Sequence, residues 1–448
     1  MKKLSILFFI VTAFSSFTFG QFQSNLSPNQ GLIEGGLGLL WIDGEPHYSF
    51  RIAPEIGFSK IGVGLDLRLE LDKSGSIRKE NFNEASDYLS IIRYVRYGNK
   101  KDPVYARIGA LDYATLGHGS IMYMYNNSPS YDVRKIGLEL DLNFDKFGFE
   151  SVYGTFGQKG VFGLRGYVLP MQFTQLASVP VIRNLEIGAT FATDFNEYAG
   201  VTSGIIDPLS GKFKAINDEG AVSVIGFDIG LPVVRTSMLT WNLYFDYVKM
   251  LNYGSGGALG TSLNFTGLGL VNLQAKLERR FNGDGYIPSY FNSMYEIERF
   301  NYNPTTAFVS SKVQTLKASA SLGDGFFGEL LVSILGYVNI IGSYQRLDKH
   351  PDSGILHLST NVAPEDAPYI LRAGYDKRYI KDEKDIFTLD DRSYLYAEVG
   401  YKPVSYLIVS MVYHWTFTPL RDKDDNVIEY LPQKKFEPRI SFVYPLNF

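Results

Sequence analysis

The sequence predicts an all-β protein, a transmembrane antiparallel β-barrel of about 20 strands within a range of 16–20. Three observations lead there. Apolar and polar residues alternate with a period of two from end to end of the chain. After the N-terminal leader, no apolar run reaches the roughly 20 residues that a spanning helix needs. The connections also sort by side into short and long ones, as those of outer-membrane-type barrels do.

The leader comes first in the chain. Lys2 and Lys3 precede an apolar stretch from Leu4 to Phe14, and Thr18 and Gly20 are small residues at the −3 and −1 positions of a cleavage site. The pattern predicts a secretory signal peptide over 1–20, with residues 21–448 as a single barrel domain. The chain has no Cys, so neither a lipid-modified Cys nor disulfides are expected. Aromatics make up 15% of residues, with 31 Tyr and 32 Phe against 3 Trp, and the formal net charge is −4. The charge balance gives no reason to expect nucleic acid as a partner. The aromatic content suits a wall that meets lipid interfaces.

The clearest strand is 60–72, KIGVGLDLRLELD. Ile61, Val63, Leu65, Leu67, Leu69 and Leu71 fall on one face, and Asp66, Arg68, Glu70 and Asp72 fall on the other. Alternate side chains of a strand point to opposite faces, whereas a helix would spread these charges around its circumference. Segments 133–144, 185–194, 225–231, 239–249, 271–280, 369–377 and 395–401 repeat the scheme. Weaker alternation marks 32–42, 339–346 and 355–361 as further strands. The alternation breaks within 88–97, which predicts a β-bulge there.

With the N-terminus on the periplasmic side, connections 58–60, 98–103, 145–147, 267–268 and 402–404 are short turns. Connections 73–87, 113–131, 195–220, 282–311, 379–392 and 420–435 are long and polar and face outward. Two periplasmic connections exceed a turn. Phe326, Phe327, Leu330, Leu331, Ile334, Leu335 and Val338 recur at helical spacing, so a short amphipathic helix is expected near 325–338, with a further apolar strand pair as the alternative. Pro170 and Pro180 predict an irregular segment over 169–183.

At the C-terminus, Phe442, Tyr444, Leu446 and Phe448 alternate with Ser441, Val443, Pro445 and Asn447. This last strand resembles the assembly signal of bacterial outer-membrane β-barrels, porin-like and transporter-like proteins among them. The resemblance implies the outer membrane of a Gram-negative bacterium. It also implies membrane lipid and the barrel assembly machinery as partners, the latter through the C-terminal strand.

On this register the inward face carries charges of both signs: Arg51, Glu55, Asp66, Arg68, Glu70, Arg107, Lys135, Glu139, Asp141, Asp228, Lys276, Glu278, Arg280, Lys317, Arg372 and Glu398. Charges are costly in hydrocarbon, so these side chains must meet water or one another. They predict either a hydrophilic channel with a lining that selects solutes, or a salt-bridged lumen that stiffens the wall. A channel or transporter for small polar solutes is the first functional expectation. The second is a non-transporting structural or secretion-associated barrel whose outer loops bind partners. Tyr286, Tyr290, Tyr295 and Tyr302 favour the second, because Tyr is enriched in recognition surfaces.

No enzyme activity, cofactor or metal is expected. His118 and Ser120, in LGHGS, share a strand face, and their His-x-Ser order resembles that of outer-membrane phospholipases. That family also needs an Asn further along, and Asn126 and Asn127 lie closer than its pattern asks. Gly117 and Gly119 point to a bend under an outer loop. Asp422, Asp424, Asp425, Asn426 and Glu429 cluster without the Gly and terminal Glu of an EF-hand loop, so a solvated loop is expected there. LGHGSIMYMYNN at 116–127 and GYIPSYFNSMYEIER at 285–299 stand out as motifs with no assigned role.

Overall fold

In the computed structural model, residues 29–79, 82, 85–157, 159–267, 270–318, 323–335, 337–362 and 368–447 are described. The predicted leader over 1–20, part of the turn at 267–268 and the terminal Phe448 lie outside them.

Among the described residues the wall has twenty strands. The first ten are β1 Gln30–Ile42, β2 Glu45–Phe58, β3 Ile61–Leu65 continued as Leu67–Leu71, β4 Ile92–Tyr97, β5 Val104–Gly109, β6 Gly137–Asn143, β7 Phe147–Tyr153, β8 Val161–Val168, β9 Glu186–Asp194 and β10 Val222–Arg235. The second ten are β11 Leu239–Met250, β12 Ser255–Gly267, β13 Val271–Asn282, β14 Gly325–Ile334, β15 Val338–Leu347, β16 His350–Val362, β17 Tyr369–Ile380, β18 Ser393–Val404, β19 Leu407–Arg421 and β20 Val427–Asn447. Each pairs antiparallel with the next, and β20 pairs back onto β1 from Gln30↔Asn447 to Ile42↔Lys435. The barrel is closed, which leaves its wall without a free edge.

Burial along β11 shows how the wall is oriented. Trp241, Leu243, Phe245 and Tyr247 are exposed on the outside, while Tyr244, Asp246, Val248 and Met250 are buried inside. An exposed apolar face over a buried polar one is the reverse of a water-soluble sheet and fits a wall set in lipid. Exposed rings of Phe58, Tyr97, Phe147, Tyr337, Tyr369 and Tyr406 ring the short-turn end, where a girdle of aromatics meets the membrane interface. At that end the connections 59–60, 144–146, 236–238 and 405–406 are tight. The connections 72–91, 110–136, 195–221 and 283–324 all leave from the opposite end.

Three expectations are corrected in detail. The described residues of 325–338 do not form a helix: β14 is a wall strand, paired with β13 from Val271↔Ile334 to Arg280↔Gly325 and with β15 on its other edge. Its inward face carries the apolar Phe327 and Leu331 because Tyr123 packs there, with ring centroids of Phe327 and Tyr123 5.0 Å apart. Apolar side chains on both faces erase the period of two and imitate helical spacing. Residues 420–435 are not a loop but a hairpin, since β19 and β20 stay paired up to Arg421↔Val427.

The strand read over 88–97 begins only at Ile92, after a helical turn at Ala85–Ser90. Its bulge is present, with Gly64↔Tyr94 followed by Leu65↔Ile92. Segment 169–183 forms three short 3-10 turns at Pro170–Phe173, Gln175–Ser178 and Ile182–Asn184. Phe173, Leu176, Val181 and Ile182 are exposed there, so it stays outside the lumen.

At the long-loop end, Val201–Ile206, Phe213–Asp218, Phe300–Asn303 and Phe308–Ser311 form a separate four-stranded sheet. The acidic cluster at 422–429 fastens this sheet to the β19–β20 hairpin. Asp422 accepts hydrogen bonds from the backbone N–H groups of Phe213 (2.7 Å) and Asn426 (2.8 Å), and Asp424 pairs with Lys212 at 2.7 Å. The asymmetry of the two ends makes orientation testable. Leu209, 95% exposed in the outer sheet's turn, should react as Leu209→Cys with an impermeant thiol reagent on intact cells. Asn99→Cys, on the short-turn side, should react only after the outer membrane is opened. The opposite labelling would invert the topology. The native chain contributes no thiol background.

Candidate functional site

The two motifs without an assigned role fold inward and meet in the lumen. Met122 bridges Phe291 in parallel, and the backbone N–H of Tyr123 donates to the Phe291 carbonyl at 3.0 Å. Ser289 N–H donates to the Ser120 carbonyl at 2.9 Å. Gly117 and Gly119, at φ of 55° and 93°, sit in the left-handed region that glycine enters without strain, and they let 116–122 double back. Leu116, Ile121, Met122, Tyr125, Phe291 and Tyr295 then pack as one apolar core against Val152, Ala192, Val224 and Met250 of the wall. Tyr286, Tyr290 and Tyr295 are 1–2% exposed. They build this plug and are not on a recognition surface, which removes the sequence argument drawn from them.

A layer of charge lies between the plug and the short-turn end. Asp66 sits in the break within β3 and takes three guanidinium groups: Arg51 at 2.7 Å, Arg68 at 2.5 Å and Arg134 at 2.7 Å. Arg51 also reaches Glu34 at 3.2 Å, and Arg372 joins Glu34 (3.4 Å) to Glu398 (3.2 Å). Glu55 pairs with Arg93 and Tyr94, and Arg107 spans Asp112 (2.9 Å) and the Ala110 carbonyl (3.0 Å). Apart from Glu398 and Tyr94, these groups line a cavity of about 310 Å³, which is also lined by Tyr131, Tyr394, Tyr396 and His414. A second cavity, of about 240 Å³, lies toward the long-loop end between Lys135, Glu296, Arg299, Tyr198 and Tyr430.

Segment 128–135 touches both hollows, with Ser128, Ser130, Tyr131 and Arg134 lining the first and Lys135 the second, and it is held by charges. The Tyr131 ring lies between Arg68 (4.5 Å) and Lys435 (3.4 Å). Asp132 takes Arg78 at 2.7 Å and Lys435 at 3.0 Å, and Lys135 reaches Glu296 at 2.6 Å. Burial works to raise the Glu296 carboxyl, but Lys135 and Arg299 outweigh it and hold it below its ordinary value. Burial likewise opposes Asp132, and Lys435 and Arg78 hold it down. Both carboxylates therefore stay charged, as a latch of ion pairs requires.

The remaining predicted lining residues form local pairs. Glu70 meets Arg78 at 3.2 Å, Asp141 meets Lys100 at 2.8 Å, and Glu139 also meets Lys100. Asp228 meets Arg165 at 2.6 Å, and Glu278 lies between Lys276 (2.8 Å) and Arg280 (2.7 Å). Lys317 is misplaced by the sequence register. It sits on a short helix, Val313–Ala318, in the 283–324 connection, where it is exposed and pairs with Glu219. Sequence reasoning missed Glu34, Arg93 and Arg439, which the wall's alternation could have supplied. It also missed Tyr131 and Arg134, which lie outside any strand and left no periodic signal.

His118 and Ser120 meet at a carboxylate. His118 Nδ1 lies 2.7 Å from Asp246, its ring stacks on Tyr244 at 4.1 Å, and Ser120 Oγ donates to the other oxygen of Asp246. Ser120 is thereby bonded to the carboxylate and not to the imidazole, so the two side chains do not form a direct His–Ser pair. The trio anchors the plug to β11.

Closure, an even strand number, an apolar exterior and one-sided long loops define a bacterial outer-membrane β-barrel, here with its lumen filled at mid-height and hollow on either side. No family model and no curated protein matches the chain. Among solved structures it is similar to Wzi of Escherichia coli, a carbohydrate-binding β-barrel involved in group 1 capsule assembly, at 10% identity over 95% of this chain and 86% of that one, with a TM-score of 0.35. It is also similar to the ferric enterobactin receptor of Pseudomonas aeruginosa at 8% identity, 93% and 81% coverage and a TM-score of 0.35. CdiB of Acinetobacter baumannii matches at 7% identity and a TM-score of 0.27, over 92% of this chain but only 60% of CdiB. Likeness at this level says nothing of activity or ligand.

Proposed function

We propose that this barrel is a non-enzymatic carrier that passes small polar solutes across the outer membrane, with segment 128–135 as its gate. The observation that carries this reading is the pair of charged hollows that share one short segment, held by ion pairs, in their linings. A segment held by packed apolar side chains would be costly to displace. The latch side chains are largely buried, so simply breaking a pair is costly too, and release needs an arriving charged solute that takes the place of the lost partner. The rigid part of the plug, 111–125 with 286–297, stays in place on its apolar core and narrows the route to small solutes.

Proteoliposome swelling tests the proposal. Vesicles with the refolded barrel should swell in isotonic solutions of small polar solutes faster than empty vesicles, and more slowly as solute size rises. Arg134→Gln, which removes two latch contacts to Asp66 and the Ser90 carbonyl, should speed entry several-fold. Swelling no faster than that of empty vesicles, for the native barrel and Arg134→Gln alike, would leave the non-transporting reading in its place.

A further inference from the structure

We infer that the larger cavity is a binding site for a small hydroxylated organic anion, a sugar acid in chemical class. This deepens the transport reading and rests on it only for the ligand's onward passage. The first ground is charge. Seven arginines and four carboxylates line the cavity, an excess of three positive charges. Glu398 and Glu437 pair with Arg372 and Arg439 from outside the lining, which leaves a net excess of one positive charge facing a solute.

The second ground is hydrogen bonding left unmade. Buried polar atoms in proteins are nearly always paired, so each exception asks for a partner. Three such atoms belong to residues that line this one cavity: Nε of Arg93, Nε of Arg439 and Oδ1 of Asn361. Arg93 and Arg439 already meet Glu55 and Glu437 through other guanidinium nitrogens, and an entering anion would add a second acceptor by charge-assisted bonds. The amide oxygen calls for a donor such as a hydroxyl. A ligand bearing a carboxylate and hydroxyls supplies both.

Shape and lining agree with this chemistry. About 310 Å³ lies at the small end of ligand pockets, which run from roughly 300 to 1,000 Å³. Tyr394 and Tyr396 give flat faces to the C–H side of a sugar ring, and Ser128 adds a hydroxyl partner. Tyr131 and Arg134 are part of both the lining and segment 128–135. An anion drawing Arg134 from Asp66 would therefore loosen the latch as it binds.

Titration calorimetry on the folded barrel in detergent tests the site, with glucuronate as probe and glucose and inorganic phosphate as comparisons. Glucuronate is expected to bind and glucose not, with phosphate weaker than glucuronate. Arg439→Gln should weaken glucuronate at least tenfold, whereas Lys317→Gln on the outer helix should leave it unchanged. Heat-modifiable migration would establish that Arg439→Gln has folded, and Arg93→Lys is the second variant, expected to weaken binding in the same direction. Equal binding of glucose and glucuronate, tighter binding of phosphate, no glucuronate binding, or native affinity in both variants would each overturn the assignment. Swelling assays separate the two proposals. Glucuronate bound without vesicle swelling would defeat the carrier and leave the site standing, and swelling with no preference for the anion would do the reverse.

Discussion

A barrel carrying Phe291→Ala together with Tyr295→Ala should show frequent large, steady openings in a planar bilayer, where the native barrel shows small ones. Both rings are fully buried in the plug and lie 4.8 Å apart, centroid to centroid. Truncating a buried Phe costs about 3–5 kcal/mol in a packed core. That loss falls on two connections joined to each other by a few backbone hydrogen bonds. The wall strands keep their own ladders, so heat-modifiable migration should be retained. Barrels of 16–18 strands already leave an aqueous channel when nothing fills them, so the conductance gained should be porin-sized. Native conductance in the double variant, with hydrogen exchange showing the plug loosened, would mean that the plug is not what closes the lumen.

The second large effect separates the two faces of β13. Leu277 is 64% exposed on the lipid side, and Leu277→Arg should cost about 2–4 kcal/mol for a cation near the midplane. Leu277→Ala should be far milder, because lipid replaces the lost contact. Its neighbour Glu278 accepts from Lys276, Arg280 and the Tyr244 hydroxyl at 2.8, 2.7 and 2.8 Å. Glu278→Leu strands two buried cations, and breaking such a pair from one side costs roughly 3–5 kcal/mol. Urea unfolding in lipid vesicles reads both changes. The outer face should reject a charge and the inner face should reject its removal. Indifference to Leu277→Arg would mean that this face does not meet lipid.

The wall was legible in the sequence because lipid and lumen impose opposite chemistry on alternate residues, and 60–72 displays that alternation without a break. Legibility failed where the lumen was filled. Phe327 and Leu331 face inward yet are apolar, because the plug covers them, and their spacing read as a helix. Segments 116–127 and 285–299 stood out as motifs, but Met122 meets Phe291 across a sequence separation that no local period reports. The charged lining was found one residue at a time, from the faces of strands. The convergence of Arg51, Arg68 and Arg134 on Asp66 was not, because Arg134 reaches it from a segment with no regular structure.

The seam between β1 and β20 puts an order on biogenesis. The first wall strand waits for a partner made nearly a whole chain later, and contacts that far apart in sequence form slowly. Until then the growing sheet has two raw margins, each able to capture a foreign strand. A chain cut short before β20 would lack the strand that pairs with β1 in this wall. The oldest and youngest stretches of the wall thus meet at one seam, and the cylinder shuts only when the last strand arrives.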